Sequence, residues 1–322
     1  MPDLVRITDV SPRDGLQNEP AVIPARDKAR LISLLAAANV DEIEAASFVS
    51  PRWIPQLADA EETLKLLREN PPEGARLPTL TVLVPNTQGF ERALAIHNAG
   101  MPLKIAIFTA ASETFSKKNT NASINQTIDR FADFLPRAFN AGMAVRMYVS
   151  CAIACPFEGP IRPLAVRKVV NQLLALVDPG APQGHAEIDL ADTIGVAHPA
   201  DVASLLSEFS DDERAAMTLH FHDTFSRASD CVRLSLDLGV RSFDGSVAGL
   251  GGCPYAGSPG NPAPGNIATD TLLRAIRSEG FTSHVDDAAL AKAATFARDA
   301  IARAQAAQSN SNSGGGAGGA QS

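Results

Sequence analysis

The sequence predicts a (β/α)8 TIM barrel followed by short extra C-terminal helices and a Gly/Ser-rich tail. Two observations carry this expectation. Eight short apolar runs rich in β-branched residues alternate with helix-period segments along the 322-residue chain, and strict alternation implies parallel strands joined by right-handed crossovers. The segment after the first run, "DVSPRDGLQNEP", is also not the Gly-rich turn that an open dinucleotide-binding sheet would carry.

The predicted strands are residues 4–10, 41–48, 77–84, 103–109, 144–153, 185–193, 216–223 and 241–250. Between them, segments such as 25–40 and 124–142 place apolar residues at i, i+3, i+4 and i+7, the spacing of an amphipathic helix. Residues 1–308 are expected to form one barrel domain. The tail 309–322, "SNSNSGGGAGGAQS", is expected to be disordered because it has too little apolar surface to offset its ordering entropy.

Composition narrows the function classes. At 45% hydrophobic and 20% charged the chain is globular, and a net charge of −8 argues against a nucleic-acid or anionic-membrane partner. No apolar run is long enough for a membrane span, and the amino terminus lacks the basic and apolar regions of a signal peptide. Four scattered cysteines suit a reducing compartment, so the cytoplasm is expected.

In a barrel, polar residues at the carboxyl ends of strands are the places to look for chemistry. Here they are Asp9, Arg13 and Asp14 after strand 1, Glu44 and Ser47 on strand 2, and Asn86 after strand 3. Cys151 lies on strand 5, Asp189 and Asp192 on strand 6, His220, His222 and Asp223 on strand 7, and Cys253 after strand 8. The sharpest local signal is "HFHD". A strand period of two puts His220 and His222 on one face and turns Phe221 toward the helices. Two such imidazoles suit chelation of a divalent metal, and equally a hydrogen-bonded pair of barrel histidines.

Asp14 and Asn266 both fit as further ligands, because the loops after the first and last strands flank one another when a barrel closes. Asp14 also fits a turn residue bonding its own backbone. A His/His/Asp/Asn set suits Mg²⁺ or Mn²⁺ better than a structural zinc. Arg13, beside Asp14, could stabilise an oxyanion or form a surface ion pair. Cys253 follows Gly251-Gly252 and opens a Gly/Pro-rich loop, where a thiol is a plausible proton donor or nucleophile. The spacing of Cys151 and Cys155 lacks partner residues elsewhere for a metal site.

Eight ordered blocks resemble the 3-hydroxy-3-methylglutaryl-CoA (HMG-CoA) lyase family of the DRE-TIM metallolyases. They are "SPRDGLQNE" (11–19), "EAASFVSPRWIPQLADAEE" (44–62), "LVPNTQGFE" (83–91), "IFTAASETFSKKNTNASI" (107–124), "YVSCAIACPFEG" (148–159), "LADTIGV" (190–196), "HFHDT" (220–224) and "SVAGLGGCPYA…GNIATD" (246–270). The resemblance implies a cation held by Asp14, His220, His222 and Asn266, with Arg13 supporting the reacting oxygens. Glu44 and Asp192 would be active-site carboxylates, and Cys253 the cysteine of a mobile loop. It also implies an acyl-CoA substrate, retro-Claisen cleavage to acetyl-CoA and a 3-oxo acid (acetoacetate from HMG-CoA), and a homodimer. Lys117 and Lys118 could meet CoA phosphates or form a solvated face.

Three departures surround the expected site. "TFSRA" (224–228) stands where the family usually reads like "TYGQA", so Arg227 is added; Ala197-His198-Pro199 replaces Gly-Thr-Pro; and the 257–266 loop is about four residues longer. These suggest a different 3-hydroxyacyl-CoA, with Arg227 or His198 reading another polar group, or an unaltered HMG-CoA lyase. A Claisen-condensing synthase of the same superfamily is the runner-up, disfavoured by the GGCPYA loop. A binding protein on a barrel scaffold is the non-enzymatic alternative.

Overall fold

In a computed structural model, the chain is described over residues 3–314 except 73, 75, 183 and 253–264. Eight parallel strands close into a barrel: β1 (Arg6–Asp9), β2 (Glu42–Ser47), β3 (Thr79–Leu83), β4 (Lys104–Ala110), β5 (Val145–Ser150), β6 (Ala186–Asp192), β7 (Thr218–Phe221) and β8 (Ser242–Gly245). Each pairs with its sequence neighbours, and β8 closes on β1 through Asp9↔Gly245. The expected TIM barrel is the observed fold.

Helices cover the outside, beginning with α1 (Ala25–Ala37), α2 (Ala60–Glu69), α3 (Thr87–Asn98) and α4 (Glu113–Thr120). The predicted helix over 124–142 is instead two, α5 (Ile124–Ala132) and α6 (Leu135–Asn140). Pro136 sits in the first turn of α6, where its missing N–H costs nothing, and mid-helix it would clash with the preceding turn. The ring continues with α7 (Pro163–Leu174), α8 (Pro199–Leu206), α9 (Asp211–Ala216), α10 (Ala228–Asp237) and α11 (Thr269–Ser278). The main apolar core lies between strands and helices and includes Ile7, Ile43, Val82, Ile105, Val149, Leu219 and Phe243. No helix among the described residues is long and apolar enough to cross a membrane.

The C-terminal addition is a single helix of 28 residues, α12 (Asp287–Gly314), rather than short helices. It buries Leu290, Ala293, Ala297 and Ala300, one helical stripe, and Arg303 pairs with Asp27 of α1. Residues 309–314, expected to be disordered, continue this helix. Once a stem is docked, each further residue adds a hydrogen bond without a new nucleation cost. Composition alone does not register that anchoring.

The barrel interior holds charge as well as packing. Arg146 on β5 is fully buried and donates to Asp244 (2.7 Å), Asp189 (3.3 Å), Glu187 (3.4 Å) and the Thr8 hydroxyl (2.7 Å). Lys104 on β4 donates to Glu42 (2.9 Å) and bonds Glu187. Buried charges persist only when paired, and this lattice ties β1, β2, β4, β5, β6 and β8 together beneath the carboxyl-end face.

Candidate metal centre and active site

The first site residues stand on a tight π-helical turn, Ser11–Gly15, directly after β1. Asp9 organises it. One carboxylate oxygen accepts from both the amide and the hydroxyl of Ser11, and the other accepts from the Thr269 hydroxyl (2.7 Å) at the start of α11. The first and last loops of the barrel are thereby joined by one buried side chain. The turn presents Arg13 and Asp14 to the barrel mouth.

Arg13 is no surface ion pair. Its Nε donates to Glu44 Oε2 (2.7 Å), its Nη2 also bonds that oxygen, and Nη1 donates to Asp14 Oδ1 (2.7 Å). Burial would discharge the guanidinium, but Glu44 and Asp14 outweigh it and push its pKa up. Burial pushes Glu44 up to about 7, opposed by Arg13 and reinforced by Asp14 and Asp244. Glu44 is fully buried, and its Oε1 has no hydrogen-bond partner.

His220 and His222 lie 5.2 Å apart between ring centroids, both buried, while Phe221 joins the apolar core. Strand β7 ends at Phe221, so His222 lies just past it rather than within it. Its backbone makes an antiparallel bridge with Asn266, which pins two expected ligands to one another. Potential ligand atoms of Asp14, His220 and His222 all lie within 4.8 Å of one another. Asn266 Nδ2 donates to Asp14 Oδ2 (2.8 Å) and to the Leu250 carbonyl (3.0 Å). Asn266 Oδ1 and His222 Nδ1 are buried with no hydrogen-bond partner. Such atoms are costly unless something binds them, so this mixed N/O set fits a cation.

Burial, aided by His220, lowers His222 to about 4, which leaves a neutral imidazole with a lone pair to donate. Burial would raise Asp14, but Arg13, His220 and His222 hold it well below the usual carboxylate range. Two glycines make the close approach possible. A Cβ on Gly265 would lie 2.3 Å from the carbonyl oxygens of Gly249 and Gly251. Gly251 has φ +99, and a Cβ there would lie 2.7 Å from Asn266 Nδ2.

Asp192 ends β6 beside this cluster. Its carboxylate accepts from the amides of Val196 (3.2 Å) and Ala197 (2.9 Å), and burial raises it to about 6 against those bonds and the charge of Arg227. Cys253 and the lengthened part of the 257–266 loop lie outside the described residues, except for Gly265 and Asn266.

The remaining candidates lie elsewhere in the fold. Asn86 caps α3 by accepting from the Gly89 amide, and the Ser47 hydroxyl accepts from the Val49 amide. Cys151, Cys155 and Cys231 are buried, and burial pushes Cys231 up to about 12. Lys117 and Lys118 are exposed on α4, with Lys118 Nζ 4.8 Å from the centre of the Phe157 ring. His198 is exposed ahead of α8, its amide donating to Asp201 (2.9 Å). Arg227, one of two candidates for reading a different polar group of a substrate, commits Nε and Nη2 to the carbonyls of Ala197 and Val196.

Asp244 and Arg146 were not foreseen. Asp244 Oδ2 meets His220 Nδ1 at 3.0 Å and also accepts from the Tyr148 hydroxyl (3.3 Å). With Nδ1 held by Asp244, the other imidazole nitrogen is left for a ligand, the usual outer support of a metal-binding histidine. Asp244→Asn is therefore expected to weaken Mn²⁺ binding about 10- to 100-fold, read by metal titration of the resting protein. An unchanged affinity would remove Asp244 from the metal centre.

The family model described as HMGL-like matches residues 4–297, nearly all of the described chain. The chain belongs to the HMGL-like family. The hydroxymethylglutaryl-CoA lyase of Pseudomonas mevalonii is 44% identical over 289 residues, covering 89% of each chain. The mitochondrial hydroxymethylglutaryl-CoA lyase of Bos taurus is 42% identical over 303 residues, 94% of this chain and 87% of its own. Among solved HMGL-like structures, the HMG-CoA lyase of Brucella melitensis superposes with a TM-score of 0.80 at 40% identity, covering 92% of this chain and 98% of its own. An HMG-CoA lyase of A. baumannii, solved with coenzyme A and 3-methylmalate, superposes at 0.78 with 32% identity over 93% of this chain and 92% of its own.

Proposed function

We propose that the chain is a divalent-metal-dependent carbon–carbon lyase that cleaves HMG-CoA to acetyl-CoA and acetoacetate. The observation that carries this reading is the convergence of Asp14, His220 and His222, with Asn266 pinned beside them, in a chain 42–44% identical to HMG-CoA lyases. Asp14, His220, His222 and Asn266 would hold Mg²⁺ or Mn²⁺, which supplies Lewis acidity toward an alcohol and a carboxylate.

The remaining chemistry belongs to the side chains. Asp192 is the base for the tertiary hydroxyl proton: at about 6 it is ionised at neutral pH yet basic enough to accept a proton. As the hydroxyl proton leaves, the new carbonyl forms, and the carbon–carbon bond breaks to release the thioester enolate of acetyl-CoA. Arg13, fixed by Glu44, directs its charge at the oxygens where negative charge develops. Cys253 donates its thiol proton to the enolate carbon, completing acetyl-CoA. The working protein is a cytoplasmic homodimer in this reading.

The functional test is a panel of 3-hydroxyacyl-CoA thioesters assayed with Mg²⁺ or Mn²⁺ for acetyl-CoA release. HMG-CoA is expected to be the best substrate, turning over at about the median enzyme rate of 10 per second. A stronger preference for another thioester would replace HMG-CoA as substrate while keeping the reaction class.

A pH prediction follows from Asp192. Because its ionised form is the base, kcat/KM is expected to fall tenfold per pH unit below about 6 as it protonates. Asp192→Asn should erase that acid limb along with most turnover. Retention of the limb in the variant would assign it to another group.

A further inference from the structure

We infer that Arg227 is a positioning residue for Asp192, acting through a peptide group rather than on the substrate. The inference rests on the reading of Asp192 as the base. The Val196–Ala197 peptide bond lies between the two side chains. Its N–H, on Ala197, donates to Asp192 Oδ2 at 2.9 Å, and its C=O, on Val196, accepts from Arg227 Nη2 at 2.8 Å. A peptide group is planar and rigid, so fixing the oxygen fixes the direction in which the N–H holds the carboxylate. Arg227 Nε adds a bond to the Ala197 carbonyl at 3.1 Å, and the Val196 amide donates to Asp192 Oδ1 at 3.2 Å. A two-pronged guanidinium thus grips the turn from one side while two amides grip Asp192 from the other.

The guanidinium is itself held in place. It lies 4.9 Å from the centre of the Phe225 ring, a cation–π arrangement. Ser226, between them, adopts φ +57, a left-handed conformation that costs a non-glycine residue energy. The Ser226 amide bonds the Asp223 carbonyl, and the Asp223 carboxylate accepts from the Ala228 amide (3.0 Å), so this strained corner is tied at both ends. The clasped turn also touches the histidine segment. A Cβ on Gly195 would lie 2.8 Å from the His222 carbonyl oxygen and 2.5 Å from Thr224 Oγ1. The His222 carbonyl and Thr224 thus buttress the turn from its other side.

The experiment is a double-mutant cycle on the full chain with Mn²⁺ and HMG-CoA, measuring kcat and KM for R227A, R227K, D192N and R227A/D192N. R227A is expected to lower kcat about 10- to 100-fold, the scale of a small misplacement of a reacting group, with KM changed less than about twofold. R227K should not rescue, since one ammonium cannot span two carbonyls in the guanidinium's fork geometry. In the D192N background the same change should cost less than about twofold, because there is no base left to misplace. A purely structural contribution would give the same fold loss in both backgrounds, and that result overturns the proposal. So does a KM increase above tenfold at unchanged kcat, which would make Arg227 a substrate-reading group. If D192N alone keeps near-full kcat, the base assignment fails and the proposal falls with it. If D192N is impaired and the R227A effect is additive, only the proposal fails. Should R227A lose its fold, R227K against D192N/R227K carries the same comparison.

Discussion

His222→Ala is expected to lower kcat by about a thousandfold or more while leaving the fold intact. Removing one ligand of a charge-stabilising cation sacrifices several kcal/mol of transition-state stabilisation, and about 4 kcal/mol corresponds to three decades in rate. His222 separates function from stability because of where it sits. Its Nδ1 is buried without a hydrogen-bond partner, so truncation leaves no protein donor or acceptor newly orphaned at that atom. The bridge to Asn266 runs through backbone and survives the substitution. The measurements are Mn²⁺ titration, steady-state kinetics and a thermal melt of the same variant. Lost affinity and lost turnover with a melting temperature changed by only a few degrees is the expected pattern. Full activity in His222→Ala would remove this residue from the metal set.

Cys253→Ala is expected to lower turnover by 10²- to 10⁴-fold, the range for loss of a general acid, with Mn²⁺ affinity unchanged. Cleavage leaves an enolate whose carbon must receive a proton before acetyl-CoA exists. The other three cysteines cannot serve: Cys151 and Cys155 are packed in a small apolar cluster, and Cys231 is a buried thiol with its pKa pushed up to about 12. One of the described residues flanking the segment that bears Cys253, Asn266, lies in the candidate metal centre. Asn266 bonds Asp14 on one side, and Asn18 donates to the Gly252 carbonyl (2.6 Å) on the other. A second readout distinguishes chemistry from structure: Cys253→Ser, with a far weaker acid, should resemble Cys253→Ala rather than the unaltered protein. Near-full turnover in Cys253→Ala would refute the proton-donor role.

The barrel was legible because its signals are local. Alternating strand and helix periods are written within windows of ten to twenty residues, and their order restricts the topology. The HxH spacing, the adjacent Arg13 and Asp14, and the closure of the last loop onto the first pointed to Asp14, His220 and His222, whose potential ligand atoms the fold brings within 4.8 Å of one another. Side-chain partnerships across the barrel were not legible. Asp244 sits in "RSFDGS" as one of 36 acidic residues, and only the register pairing it with His220 shows what it supports. Arg146 reads as an ordinary charge on a strand until closure buries it among carboxylates from three other strands.

Arg227 shows the same limit from the opposite side. Its position behind the histidine segment left two readings open, a contact to another polar substrate group or an unaltered HMG-CoA lyase. In the fold, two backbone carbonyls 30 and 31 residues upstream take its Nε and Nη2 donors. Carbonyls at a loop turn leave no compositional trace, so no pattern in the sequence marks them as partners. Helix α12 is a similar case. Residues 309–314 have the composition of a disordered tail, and they are helical as the continuation of a stem docked on the barrel.

The most direct test is to strip the protein with EDTA and follow acetyl-CoA release from HMG-CoA as Mn²⁺ is added back. Activity is expected to be absent without metal and to rise to a plateau at one ion per chain, with His222→Ala failing to recover over the same range. Unaltered cleavage by the stripped protein, or full recovery in His222→Ala, would contradict a reaction run from the Asp14–His220–His222–Asn266 centre.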